Sequence, residues 1–128
     1  MSDKPFRILI AEDDVDVADL LALMLEDQGH DVTIAANGKL AIEALEDASF
    51  GLLICDLWMP EMDGLAVLDW CQINRSSLPV AVLTAQREAK GEVNQRPNVR
   101  AWLLKPFSLA HQAELQDLIE TLKSATDV

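Results

Sequence analysis

"LLICDLWMPEMDG", residues 52–64, decides how this chain folds. Leu52, Leu53, Ile54 and Cys55 are apolar without alternation, and the run stops at a carboxylate, Asp56. A strand that is apolar on both faces belongs in the middle of a parallel sheet with helices on either side. Trp58, Met59 and Pro60 follow, and Asp63-Gly64 makes a turn. The buried strand therefore delivers one acid to a loop.

The segments on either side of it alternate between strand and helix patterns. Residues 6–11 (FRILIA), 31–36 (DVTIAA), 51–56 (GLLICD), 79–84 (PVAVLT) and 99–105 (VRAWLLK) read as strands. Residues 15–28 place Val17, Leu21 and Met24 at helical spacing, with Leu20 and Leu25 widening the stripe and Gly29 ending it. Residues 38–48 set Ala41, Ile42 and Leu45 on one side of a short helix. Residues 65–76 pair Leu65 with Leu68 and Val67 with Cys71. Residues 108–124 carry the stripe Leu115, Leu118, Ile119 and Leu122, with Ser108 as N-cap. Residues 86–98 should form the fourth of five helices, yet they hold only Ala89 and Val93 as apolar anchors, with Gly91 inside and Pro97 at the end. So thinly anchored a helix has a low local opening free energy. The pattern predicts an α/β fold: a five-stranded parallel sheet with helices on both faces.

With 128 residues, half of them hydrophobic, the chain suits one domain over 1–128, with an ordered core from about 5 to 124. No apolar run reaches the length of a membrane span, and the first ten residues lack a signal-peptide layout, so the expected location is the cytoplasm. Cys55 and Cys71 lie in apolar segments and read as reduced core residues. A net charge of −12 repels phosphates, which argues against direct nucleic-acid binding and against an anionic membrane surface. His30 and His111 read as surface or helix residues, and Trp70 as a partly buried one.

In an open parallel sheet, ligands bind beyond the carboxyl ends of the strands. Those ends carry Glu12-Asp13-Asp14, Asp56, Thr84-Ala85 and Lys105-Pro106. Converging carboxylates call for a hard divalent cation, for which magnesium with oxygen ligands is suited. Thr84 as a hydrogen-bond donor and Lys105 as a point charge suit a phosphoryl group, and Asp56 suits the nucleophile that receives it.

Through "RILIAEDD", "LLICDLWMPEMDG", "VAVLTA" and "WLLKPF", in that order, the chain resembles the receiver domains of two-component response regulators over nearly its whole length. The resemblance implies the flavodoxin-like, chemotaxis-receiver-like strand order 2-1-3-4-5. It implies that Asp56 accepts a phosphoryl group from the phosphohistidine of a histidine kinase or a histidine phosphotransfer protein. Magnesium, replaceable by manganese, would be held by Asp13 and Asp56 directly, by Glu12 through water, and by the backbone carbonyl of Trp58. Thr84 and Ala85 would close on the phosphoryl group, Lys105 would pair with it, and the Lys105-Pro106 bond would be cis. Pro60, Gly64 and Pro106 would shape the loops. Asp14 matches a variable third acid. The face formed by the fourth helix, the fifth strand and the last helix would then act on a downstream target, an attached output domain or a second copy of the chain.

Two departures stand out. Trp102 occupies the aromatic switch position, which is usually Tyr or Phe, and "RPNVR" replaces the small residues that typically precede the fifth strand. Trp58, two residues after Asp56, is expected to shield the phosphoryl group from water. The same Trp58 argues against a haloacid dehalogenase-type phosphatase, which needs an acid there as proton donor, so no turnover enzyme is expected. "AEDDVD" would repel the phosphate of a flavodoxin-type nucleotide. A pseudo-receiver that works without phosphorylation is the remaining alternative, and the intact Asp56, Thr84 and Lys105 speak against it.

Overall fold

The structure is a computed structural model and describes residues 6–57, 64–85, 96–105 and 109–126. The elements run β1 (Arg7–Ala11), α1 (Val15–Asp27), β2 (Asp31–Ala35), α2 (Gly38–Asp47), β3 (Leu52–Asp56), α3 (Gly64–Asn74), β4 (Val80–Thr84), β5 (Val99–Leu104) and α4 (Leu109–Thr126). All strand pairs are parallel and the sheet order is β2-β1-β3-β4-β5. The expected fold is present, with element ends within two residues of the sequence reading. The fourth helix expected at 86–98 falls largely outside the described residues, as do Trp58, Pro60, Pro106 and Ser108.

The apolar runs explain the layering. Every residue of β3 and β4 is buried, because both strands are covered on both faces. On one face Leu9, Leu53, Cys55 and Val82 pack with Ala41 and Leu45 of α2 and Val67, Leu68 and Cys71 of α3. On the other, Ile8, Ile10, Ile54 and Leu83 pack with Leu21 and Leu25 of α1 and Leu115, Ile119 and Leu122 of α4. Each fully buried Leu or Ile contributes about 1.5–3 kcal/mol. Both cysteines are buried thiols, and burial pushes the Cys71 thiol up to about 11.

The helices begin and end on side chains suited to the task. Asp14 caps α1, its Oδ1 accepting from the backbone N–H of Asp16 (3.0 Å) and Val17 (3.3 Å). Asn37 caps α2, accepting from Leu40 N at 2.8 Å. Gly29 stops α1 at φ 95°, a left-handed conformation that costs glycine little.

Two readings need correction. Leu20 does not widen the buried stripe of α1: it is 59% exposed, and Ala18 and Ala22 fill the flanks of Leu21 and Leu25 instead. His30 is not a surface residue. It is buried between α1 and β2, edge-on to Phe6 with centroids 6.1 Å apart. Burial pushes its pKa down, the Lys123 charge acts in the same direction, and Glu120 opposes both.

Candidate phosphoryl and metal site

The strand ends converge as the topology requires. β1 runs directly into Glu12 and Asp13, β3 ends on Asp56, β4 ends on Thr84, and Lys105 follows β5. Glu12, Asp56 and Thr84 are buried, whereas Asp13 is exposed. Oxygens of Glu12, Asp13 and Asp56 all lie within 4.8 Å of one another.

Lys105 ties this cluster together. Its Nζ lies 2.6 Å from Glu12 Oε1 and 3.1 Å from Asp56 Oδ2. Its backbone N–H donates to the Thr84 carbonyl at 2.9 Å, which fixes the end of β5 to the end of β4. The second Glu12 oxygen accepts from Asp14 N at 3.2 Å. Burial pushes the Glu12 pKa up to about 7; Lys105 and the Asp14 amide pull it down, while Asp56 adds to the rise. For Lys105, burial disfavours the charged form, but Glu12 and Asp56 outweigh it and the net shift is upward.

Three carboxylates against one ammonium make this an acidic cluster, whose charge a hard cation would balance. The donors are all oxygens, as magnesium prefers. Opposite ligands of an octahedral magnesium lie about 4.2 Å apart. Oxygens of Glu12, Asp13 and Asp56 spread over no more than 4.8 Å could therefore converge on one such ion.

Gly64 does more than turn the chain. Its N–H donates to the Leu57 carbonyl at 2.9 Å, and a Cβ there would overlap the Asp56 carbonyl oxygen and the Leu57 Cα. The start of α3 thus presses directly on the backbone carrying Asp56. Sequence reasoning missed the Leu57 carbonyl, and only its spacing from Gly64 hints at the contact. The Asp14 carboxylate is not among the clustered oxygens and serves as the α1 cap, while its amide donates to Glu12. Ala85 is exposed beside Thr84. Trp102 pairs with Val82 in the sheet and packs, partly buried, on the face covered by α2 and α3. Trp70 is partly buried on α3 beneath the Arg75 guanidinium, 5.5 Å from the ring centroid. Among the described residues no helix is long and apolar enough to cross a membrane.

Residues 8–120 match the family described as the response regulator receiver domain. An uncharacterized 14.6 kDa protein of Leptolyngbya boryana is 40% identical over 102 residues, covering 77% of this chain and 78% of that one. The transcriptional regulatory protein ZraR of Escherichia coli K12 is 31% identical over 118 residues; the match covers 91% of this chain but only 27% of ZraR. The receiver domain of Francisella response regulator 1452 superposes with a TM-score of 0.83 at 29% identity, covering 96% of this chain and 99% of that one. The match spans all five strands and both layers of helices, so this chain belongs to the response regulator receiver domain family of two-component systems.

Proposed function

We propose that this chain is a phosphorylation-operated receiver whose phosphoacceptor is Asp56. The observation that carries the reading is the contact of Lys105 Nζ with Asp56 at 3.1 Å, inside a cluster where Glu12, Asp13 and Asp56 offer oxygens within 4.8 Å of one another. The donor is a phosphohistidine on a histidine kinase or histidine phosphotransfer protein. An Asp56 oxygen forms the new P–O bond, the P–N bond breaks, and its electrons remain on the departing imidazole. Glu12, Asp13, Asp56 and the Trp58 carbonyl would hold magnesium, or manganese in its place, which when bound would supply charge neutralisation to the phosphoryl oxygens. Lys105 gives up part of its pairing with Asp56 to pair with the phosphoryl group. Thr84 and the Ala85 backbone close on it from β4, and Pro60, Gly64 and Pro106 set the loops.

Closure at Thr84 is coupled to Trp102 through the β4–β5 pairing, in which Val82 is the partner of Trp102 and Thr84 that of Leu104. The surface so altered meets a downstream protein, an output domain or a second copy of the chain, in the cytoplasm. The activity is signalling by stoichiometric phosphorylation rather than turnover, and neither nucleic acid nor membrane is a direct partner.

Incubation with acetyl phosphate and Mg2+, followed by intact-mass measurement, tests the reading. One added phosphoryl group is expected, absent in Asp56→Asn and absent with EDTA. A chain that stays unmodified, or an Asp56→Asn variant modified equally, would sink it and favour the phosphorylation-independent module.

A further inference from the structure

A cavity of about 530 Å³ opens at the pole opposite Asp56, among the N-terminal ends of β3, β4 and β5. Leu122, Leu78 and Phe50 supply apolar wall, while Arg75 and Arg100 stand at it with Ser77. Its size falls in the range of small-molecule sites, which are mostly apolar with a few placed polar groups.

Both arginines are placed by specific structure. Arg100 occupies an irregularity in the β4–β5 ladder: Val80 pairs with Val99, but Ala81 pairs with Ala101. The side-chain alternation slips accordingly. Val99 packs on the α2/α3 face and Ala101 on the α1/α4 face, although they are two residues apart and a regular strand would put them on one side. Arg100 is the extra residue, and a bulge of this kind re-aims a side chain. Arg75 is held from two directions. Its guanidinium donates to the carbonyls of Asn74 (2.7 Å) and Leu45 (3.1 Å) at the ends of α3 and α2, and lies over the Trp70 ring. A guanidinium has five N–H donors, so some remain for a ligand.

The charge balance sharpens the point. Acids outnumber bases 22 to 10 in this chain. Arg7, Arg96 and Lys105 each pair with a carboxylate. Arg75, Arg100, Lys39 and Lys123 make no ion pair with an acid among the described residues, and the first two of them stand at one cavity.

We propose that this cleft binds a small aromatic organic anion, its acidic group on Arg100 and Arg75 and its ring against Phe50 and Leu122. A planar, preorganised guanidinium favours an oxyanion, and the apolar wall favours a flat hydrophobic body. The site is separate from Asp56 and does not depend on phosphorylation.

Binding of 8-anilinonaphthalene-1-sulfonate to the full chain, followed by fluorescence and by amide chemical shifts, tests the proposal, with uncharged N-phenyl-1-naphthylamine as the control. Saturable one-to-one binding is expected, with shifts centred on Phe50, Leu78 and Leu122. Arg100→Gln, at an exposed position, should weaken the sulfonate about tenfold or more and leave the neutral ligand unchanged. Asp56→Asn should bind both as the parent does. Absence of saturable sulfonate binding, equal affinity in Arg100→Gln, or shifts centred elsewhere would each overturn it.

Discussion

Lys105 Nζ lies 2.6 Å from Oε1 of Glu12, a carboxylate whose side chain is 1% exposed. The same ammonium reaches Asp56 at 3.1 Å, so one cation offsets two buried acids from different strands. Lys105 thus spans two of the carboxylates that the proposed phosphoryl and metal site would use. The proposed phosphorylation and the stability of the chain therefore draw on the same contacts, and changes there should show in both.

Lys105→Met should destabilise the metal-free protein by about 3 kcal/mol at pH 8, because the buried carboxylates lose their counter-charge. At pH 5 the loss should be much smaller, since Glu12 is then protonated in the folded state. Urea unfolding at the two pH values measures the difference. An equal loss at both would mean that Glu12 is not the group that Lys105 compensates.

The pH dependence of the parent chain follows from the same residue. The folded pKa of Glu12, about 7, lies above the ordinary 4.5, so the folded state binds more protons than the unfolded state between these values. Stability of the metal-free chain should accordingly fall as pH rises from 4.5 to 7, by on the order of 1–3 kcal/mol from this group. Lys105 does not interfere in that window. Its pKa is raised above 10.5, so its contribution is fully present below that pH and is lost only as pH rises through the folded value. Glu12→Gln should flatten the slope between pH 4.5 and 7 in a series of thermal melts with EDTA.

Gly64→Ala should cost about 1–3 kcal/mol, because the added methyl meets backbone rather than a side chain that can swing away. The displaced atoms belong to Asp56 and Leu57, so labelling by acetyl phosphate should slow as well. Gly29→Ala would share the destabilisation, being at positive φ, but with open space around it labelling should be unchanged. The pair separates a global loss of stability from displacement of the phosphoacceptor.

Much of this was legible because it is written in local pattern. The unbroken apolar runs of β3 and β4 and the acids, hydroxyl and lysine at the strand ends need no tertiary knowledge. What escaped depends on neighbours far along the chain. The spacing of Leu20 fits a broad apolar stripe, but α1 lies on the sheet along a narrower line filled by Ala18 and Ala22. His30 follows a helix-ending glycine and reads as a surface or helix residue, yet Phe6 packs edge-on against it and the charges of Glu120 and Lys123 on α4 reach it. Residues 99–105 read as one continuous strand, and the slip at Arg100 emerges only when Val99 and Ala101 are assigned to opposite faces.

Asp13 and Asp14 are adjacent and chemically alike, yet the structure gives them different work. Asp13 offers an oxygen to the cluster with Glu12 and Asp56, while Asp14 spends its carboxylate on the first amides of α1. Asp14→Ala should therefore lose about 1 kcal/mol of stability, Asp14→Ser most of that less, and both should keep parental Mg2+ affinity and labelling. Asp13→Asn should do the reverse: it relieves like-charge repulsion and leaves metal-free stability unchanged or higher, while weakening Mg2+ binding and slowing labelling. Urea unfolding with EDTA reads the first effect, and Mg2+ titration of tryptophan fluorescence reads the second. If Asp14→Ala weakened Mg2+ as much as Asp13→Asn does, the capping assignment would give way to a fourth metal-site acid.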